Sequence, residues 1–238
     1  NLNSWSKLFT VFSIPVFIAT LIFFEPHKGA ALFILILSIL IISSSYYSLP
    51  KILTLSIPAF LVFFYFIFHS SYALKRLKAF INPMDGSNSS YQVLQSLLAF
   101  AKGGLFGEGI GAGTQKFYYL PEIHTDYILA LIGEETGFLG VIFILILFIL
   151  LLFRGITISL NRNDIFTQIL GIGLTYMIVL QALFHILVNI GLFPPTGFTL
   201  PFISYGGSSF LINCTAAGIL LRISKEPIKS IFTEEDYG

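Results

Sequence analysis

The sequence predicts an all-α protein, a polytopic transmembrane helical bundle with about six spans in 238 residues. Hydrophobic residues make up 55% of the chain and charged residues only 11%, whereas a soluble domain needs about a quarter of its residues charged. The apolar stretches are long, and they do not alternate between apolar and polar residues as the strands of a membrane β-barrel do. Together these observations indicate helices in a lipid bilayer.

The same composition excludes several other classes of protein. Aromatic residues make up 16% of the chain, which is far too many for an intrinsically disordered protein. A net charge of +1 provides no basic surface for the phosphates of a nucleic acid, so no nucleic-acid partner is expected. The single cysteine, Cys214, permits no internal disulfide.

Six apolar stretches are long enough to cross about 30 Å of hydrocarbon, which takes about 20 residues in a helix. Only three charged residues, Glu134, Glu135 and Arg222, fall inside them. No small-residue cleavage site follows the first stretch, so it is interpreted as a retained span and not as a signal peptide. The expected spans are 8–24, 29–49, 52–74, 127–153, 165–193 and 202–223.

These spans divide the chain into four parts. Cations in the short loops, such as Lys51, Arg154 and Arg162, favour a cytoplasmic N-terminus, so the long loop would be extracytoplasmic and the C-terminus cytoplasmic. The four parts are three helices in 1–74, the large loop 75–126, three helices in 127–224 with a polar re-entrant-like loop at 194–209, and a tail at 225–238.

The large loop is longer than a connection needs, which points to a function. Segment 90–102 spaces its apolar residues as one face of a helix, and such a helix would lie in the membrane interface or pack against the bundle. The following segment, 103–113, contains six glycines, whose backbone N–H groups would either face phosphate oxygens or form tight turns. The apolar face of the predicted helix carries Tyr91, Leu94, Leu97, Leu98 and Ala101.

The end of the large loop carries most of the candidate chemistry. Four ionisable residues, Lys116, Glu122, His124 and Asp126, fall within eleven residues directly before an apolar run. Asp126 occupies the position of a helix N-cap. A carboxylate held at the membrane surface beside cations can also act as a general base, so the residues leave both interpretations of Asp126 open.

Polar residues also occur inside the spans. Glu134 and Glu135 lie about 12 Å along the helix from Asp126, where an ionisable group faces either a cavity or a hydrogen-bonding neighbour. A polar stripe in the next span is interpreted mainly as hydrogen bonding between helices. The polar backbone of segment 193–209 is tolerated near a membrane where it lines a cavity. The residues of the stripe are Gln181, His185 and Asn189.

Three segments resemble motifs of the shape, elongation, division and sporulation family, whose members include FtsW, RodA and SpoVE. These segments read YQVLQSLLAFAKGGLFGEGIGAGTQK, YLPEIHTDYILALIGEETG and PPTGFTLPFISYGGSS. The resemblance covers about 81–223 and leans toward the FtsW and SpoVE branch. One departure is His27, which stands where family members usually carry an acid.

The resemblance implies a ten-span fold, of which the six predicted spans are the last six. It further implies a peptidoglycan glycosyltransferase in the bacterial inner membrane, which polymerises lipid II with a class B penicillin-binding protein during division or elongation. The catalytic carboxylate of the family's His-Thr-Asp triplet falls on Asp126. The leaving diphosphate would need cations or a divalent metal ion, whose identity is left open.

The expected site therefore combines Asp126 as the catalytic residue with polar residues of the large loop and of the broken helix. Two other functions also fit the residues. One is a transporter of lipid II headgroups, whose pathway would be lined by Glu134, Glu135, the polar stripe and the helix broken at Pro194 and Pro195. The other is a non-catalytic scaffold for the penicillin-binding protein. The expected substrate-binding residues are Lys102, Gln115, Lys116, Glu122, His124, Thr125, Glu134, Ser204, Tyr205 and Ser208.

Overall fold

The computed structural model describes residues 4–25, 28–45, 47–82, 88–114 and 124–225, and every regular element within these ranges is a helix. The all-α class predicted from the sequence is thereby confirmed. In chain order the helices are α1 (Trp5–Phe23), α2 (Lys28–Ser43), α3 (Leu49–Phe68), α4 (Ser71–Ile81), α5 (Asn88–Gly103), α6 (Ile128–Leu160), α7 (Ile165–Asn189) and α8 (Gly207–Ser224).

Among the described residues, five helices are long and apolar enough to cross a membrane, namely α1, α3, α6, α7 and α8. The protein is therefore a multi-pass membrane protein. The remaining predicted span, 29–49, is shorter in the structure, because α2 ends at Ser43 after 16 residues. Sixteen residues rise only about 24 Å. The hydroxyls of Ser43 and Ser44 both donate to the carbonyl of Leu40 and compete with the helical hydrogen bonds there.

Helix α3 also ends earlier than the predicted span 52–74. It stops at Phe68, and Ser70 begins the next helix, because its side-chain oxygen accepts from the N–H of Ala73. Ser70 is thus the N-cap of α4, an amphipathic helix that carries Arg76. The long loop predicted at 75–126 therefore contains most of α4 and all of α5.

Helix α7 lies at the centre of the bundle. It packs against α2, α5, α6 and α8, and α2 in turn packs against α1 and α3. Within an apolar window of 18 residues in each helix, 50% of the residues of α7 are buried, compared with 22% in α6 and 17% in α1. The polar side chains of α7 are therefore in a position to organise the interior, whereas the other spans present most of their apolar surface outward.

The helix predicted at 90–102 forms as α5, and its packed face is not the apolar one. Tyr91, Leu97 and Leu98 are 41%, 37% and 43% exposed. A face of small residues packs inward, because small side chains let helices approach closely in membranes. At the end of this face, a Cβ on Gly103 would collide with the carbonyl oxygen of Gly133 in α6. The buried residues of this face are Ser90, Val93, Ser96 and Ala99.

Helix α6 is interrupted at Gly137, whose φ of 69° and ψ of −168° are not helical. The N–H groups of Phe138 and Leu139, which would donate one turn back in an unbroken helix, donate instead to Gly104 (2.9 Å) and Leu105 (3.3 Å). The glycine-rich segment 103–113, called here the glycine strap, thus supplies acceptors for the amides beyond the break.

The glycine strap also supplies donors for the carbonyls before the break. The carbonyl oxygens of Glu134 and Glu135 accept from the N–H groups of Glu108 and Gly109, each at 3.0 Å. Four hydrogen bonds between the strap and α6 therefore replace those that the break at Gly137 removes. Because the two N–H groups are bound to helix carbonyls, they do not face a phosphate, and the strap is an element of the fold.

We expect Gly107→Ala to destabilise the protein more than Gly111→Ala. Both glycines have similar φ values, +79° and +84°, so alanine is strained at each by about 1–2 kcal/mol. Only at Gly107 does the added Cβ collide with a neighbour, the carbonyl oxygen of Glu135, and space around Gly111 is open. Displacing the strap from α6 would cost about 1 kcal/mol for each hydrogen bond lost.

Thermal unfolding of both purified variants in detergent, followed by circular dichroism, measures this difference. Equal loss of stability in Gly107→Ala and Gly111→Ala would contradict the packing of the strap against α6.

Candidate functional site

The turn 124–126, called here the acidic turn, lies directly before α6 and is held through its backbone. The carbonyl of His124 accepts from the N–H of Tyr205 at 2.8 Å, and the carbonyl of Thr125 accepts from the hydroxyl of Ser204 at 2.7 Å. The Ser204 hydroxyl oxygen also accepts from the N–H of Leu200 at 2.7 Å. The loop between α7 and α8 thus fixes two of the three carbonyls of the acidic turn.

The third carbonyl of the acidic turn is held by α7. The Nδ2 group of Asn189 donates to the carbonyl of Asp126 at 2.9 Å, and its Oδ1 accepts from the N–H of Ala130 at 3.1 Å. Asn189 is fully buried, at 0% exposure. The three residues His124, Thr125 and Asp126 are consequently held by three separate donors from α7 and the loop that follows it.

The Asp126 side chain is half-buried and lies beside the loop after α7. Its Oδ2 would be 3.7 Å from a Cβ placed on Gly197, so the loop passes close to the carboxylate. In the same region, Nη1 of Arg76 donates to the carbonyl of Pro195 at 2.8 Å. The charges of Asp126 and Arg76 are both close enough to the Tyr127 hydroxyl to interact with it electrostatically. Helix α4 therefore brings a guanidinium group to the neighbourhood of the acidic turn.

An open depression of about 380 Å³ flanks the acidic turn and is lined by His124, Ile128, Ile203 and Tyr205. Tyr205 is 81% exposed, so its ring is available to a ligand. Phe202, which directly precedes the lining residue Ile203, has a φ of 66°. A non-glycine residue in that conformation is strained by about 1–3 kcal/mol, and such strain is concentrated at functional sites.

The polar stripe of α7 binds the loop that follows it. The Nε2 group of Gln181 donates to the carbonyl of Thr199 at 2.9 Å and to the hydroxyl of Ser209 at 2.9 Å. The Nδ1 atom of His185 lies 2.7 Å from the carbonyl oxygen of Phe198. The stripe is therefore a set of internal hydrogen bonds, but of these three partners only Ser209 lies in a neighbouring helix, and the other two lie in the loop that reaches the acidic turn.

A second polar cluster surrounds Glu134, which is fully buried at 0% exposure. Its Oε1 accepts from both the N–H (3.0 Å) and the hydroxyl (2.9 Å) of Thr114. The ammonium group of Lys102 donates to the Thr114 hydroxyl and lies 3.7 Å from the same carboxylate oxygen. This cluster attaches the end of the glycine strap to α6.

Most of the described residues of the predicted site form two groups. His124, Thr125 and Asp126 meet Ser204 and Tyr205 in one group. Lys102 and Glu134 belong to the cluster around Thr114. Ser208 is exposed in the first turn of α8. Gln115, Lys116 and Glu122 lie outside the described residues.

Two residues of the region were not predicted as part of the site. Arg76 lies on α4, whose residues fall at the junction of a predicted span and the predicted long loop, and the basic run KRLK was the available signal. Asn189 was predicted only as a member of the polar stripe, because nothing local shows that α7 returns to the start of α6. Within the described ranges, no three His, Cys, Asp or Glu side chains are grouped to hold a metal ion.

These features define a class of protein, a multi-pass helical membrane protein with an acidic turn fixed at the start of one span. A family model described as a cell cycle protein, which covers FtsW, RodA and SpoVE, matches residues 1–228. The chain belongs to this family, which confirms the resemblance found in its motifs.

The relatives share the branch that the motifs favoured. A probable peptidoglycan glycosyltransferase FtsW of Trichlorobacter lovleyi is 44% identical over 201 residues, which are 84% of this chain and 53% of the relative. The stage V sporulation protein E of Bacillus subtilis is 46% identical over 160 residues, which are 67% of this chain and 44% of the relative. The chain thus spans about half the length of these relatives.

A solved structure has the same fold. That structure shows how a peptidoglycan synthase complex coordinates polymerization and crosslinking. One of its chains matches with a TM-score of 0.73 and 22% identity, over 92% of this chain and 61% of that chain. This likeness shows the arrangement of the helices.

We expect Glu134→Ala to destabilise the protein by about 1–3 kcal/mol, because it leaves the N–H and hydroxyl of Thr114 without the acceptor they share. Glu108→Ala is the matched control, since it removes an exposed carboxylate from the glycine strap and leaves the backbone N–H in place. Unfolding in detergent compares the two variants. A Glu134→Ala protein as stable as Glu108→Ala would show that the cluster adds nothing to the attachment of the strap.

Proposed function

We propose that the chain carries the catalytic carboxylate of a peptidoglycan glycosyltransferase that polymerises lipid II, with Asp126 as the general base. The observation that supports this most directly is the position of Asp126. It is half-buried beside the loop after α7, on a turn whose three carbonyls are all hydrogen-bonded. A relative named as a probable peptidoglycan glycosyltransferase, 44% identical over 84% of the chain, supports the reaction class.

In the proposed reaction the 4-hydroxyl of an acceptor sugar attacks the anomeric carbon of a lipid-linked donor. A carbon–oxygen bond forms between the two sugars, and the bond from the anomeric carbon to the diphosphate oxygen breaks, with its electron pair leaving on the polyprenyl diphosphate. The proton of the acceptor hydroxyl passes to the Asp126 carboxylate. A sugar hydroxyl is too weak an acid to ionise alone at neutral pH, and a positioned base accelerates such a step about 10²–10⁴-fold.

Negative charge develops on the departing diphosphate, and cations near the acidic turn would stabilise it. Arg76 is the cation that the fold brings to this region through Pro195. Lys102 is 44% exposed at its side chain and lies in the Glu134 cluster. Lys116 is proposed from its position in the sequence for the same role, and a divalent cation remains part of this proposal.

The depression beside the acidic turn is proposed to receive the sugars of the substrate. Tyrosine and histidine rings offer flat faces and hydrogen-bonding groups, which suit a carbohydrate. His124 and Tyr205 line the depression, and Ser208 is exposed nearby in sequence. Because the Ser204 hydroxyl already binds Thr125 and Leu200, its proposed contribution is to hold the turn. Gln115, Glu122 and Thr125 complete the proposed site, and Glu134, which is buried and bound to Thr114, would support it from the neighbouring cluster.

The proposal includes a membrane orientation and a partner. The acidic turn, α4 and α5 would face the extracytoplasmic side, where lipid-linked sugars are polymerised, and the C-terminus would be cytoplasmic. A class B penicillin-binding protein is the proposed partner, within the division or elongation machinery. Likeness to a chain of a peptidoglycan synthase complex supports a partner of this kind.

Replacing the base tests the proposal. We expect Asp126→Asn to lower the rate of glycan-chain formation from purified lipid II by about 10²–10⁴-fold, because an amide does not take up the proton. The assay uses the protein at its natural full length together with the partner. Asp164→Asn is the control, since Asp164 is the N-cap of α7, accepts from Thr167, and asparagine caps a helix equally well.

Glycan polymer formed by Asp126→Asn at the rate of the unchanged protein would overturn the assignment of the base. The same variants in vesicles test the alternative of a transporter. Movement of labelled lipid II across the bilayer by Asp126→Asn, without polymer, would favour transport.

A further inference from the structure

The side chain of Asn189 stands between two backbone groups that a helical turn would join directly. In an α-helix each N–H donates to the carbonyl four residues earlier, so Ala130 would donate to Asp126. Here the Ala130 N–H is shared between the carbonyl of Tyr127, at 3.0 Å, and Oδ1 of Asn189, at 3.1 Å. The Nδ2 group of Asn189 donates to the Asp126 carbonyl at 2.9 Å. The amide is therefore inserted into the place of one helical hydrogen bond, and α6 begins only at Ile128.

Asn189 is itself held firmly. It is 0% exposed, and its Nδ2 group also donates to the carbonyl of His185 at 2.9 Å. Its backbone carbonyl accepts from the Ser96 hydroxyl of α5 at 2.7 Å. Each polar atom of the side chain therefore has a partner, and the amide cannot turn away from Asp126 without losing one of them.

We propose that Asn189 is a positioning residue, which keeps Asp126 outside α6 and aims its carboxylate at the substrate. This inference rests on the proposed role of Asp126 as the base. Without the amide, the Asp126 carbonyl would take the Ala130 N–H in the ordinary helical bond, the start of α6 would move back by one residue to Tyr127, and the carboxylate would move with the backbone. A base must lie about 2.6–3.2 Å from the oxygen whose proton it takes, and a misplacement of about 1 Å costs up to about 10²-fold in rate.

The variant Asn189→Leu tests the proposal, because leucine fills the site without a donor or an acceptor. Its matched control is Asn213→Leu on α8. Asn213 is also 0% exposed, and its Nδ2 group donates to the carbonyl of Ser209 at 2.8 Å and to Oε1 of Gln181 at 3.3 Å. No direct hydrogen bond joins Asn213 to the acidic turn in the described residues. Both variants remove a buried amide from the bundle, so a general loss of packing affects them alike.

We expect Asn189→Leu to lower kcat for glycan-chain formation about 10–100-fold while KM for lipid II changes less than about twofold, and Asn213→Leu to keep most of kcat. An equal loss of kcat in both variants, or a higher KM with unchanged kcat in Asn189→Leu, would overturn the proposal. Asn189→Ala is measured in the same way if the leucine variant does not accumulate.

A coupling measurement separates positioning from a structural role. In Asp126→Glu the carboxylate is already displaced by one methylene, so adding Asn189→Leu should lower the remaining rate far less than it does in the unchanged protein. Independent, multiplicative losses would contradict the proposal. An active Asn189→Leu beside an inactive Asp126→Asn would overturn this inference alone, whereas an active Asp126→Asn would overturn the proposed function as well.

Discussion

The arrangement of this protein depends on the pairing of backbone polar groups along one helix. Hydrocarbon offers no water to an N–H or carbonyl group, so an interruption of a membrane helix must be closed by other protein groups. Helix α6 meets this constraint twice. At its start the amide of Asn189 stands between Asp126 and Ala130, and at Gly137 the glycine strap supplies two donors and two acceptors.

These two exchanges isolate the first turns of α6, residues 128–136, as a short helix held at both ends. Its start is bound to α7 and, through Ser204 and Tyr205, to the loop that follows α7. Its far end is bound to the glycine strap, and Glu134 adds a buried attachment through Thr114. Each hydrogen bond contributes only about 1 kcal/mol net, so the rigidity of the acidic turn comes from their number and from their different directions.

The sequence predicted this architecture unevenly, and the failures share a physical cause. Apolar length identified five of the six predicted spans among the described residues, because it is a property of consecutive residues; the motif singled out Asp126 for the same reason, and its role as the base stays a prediction. The inward face of α5 was not predicted, since the apolar pattern marked large residues such as Leu97 and Leu98, which are partly exposed, whereas small residues such as Ser96 pack against the protein. The exchange of hydrogen bonds at Gly137 leaves no local pattern, because its partners lie some 30 residues away along the chain.

The same hydrogen bonds bear on the choice between an enzyme and a transporter. Alternating access requires an element that moves, and an interrupted helix such as the segment after α7 is the kind of element that moves in transporters. Its loop is instead bound along α7 by Gln181 and His185 and is bound across to the acidic turn by Ser204. A loop held on both sides suits a preorganised site, in which groups are fixed before the substrate arrives and little reorganisation is needed during the reaction. The pattern of contacts therefore favours catalysis at a fixed acidic turn over transport of a lipid headgroup by movement of the loop after α7.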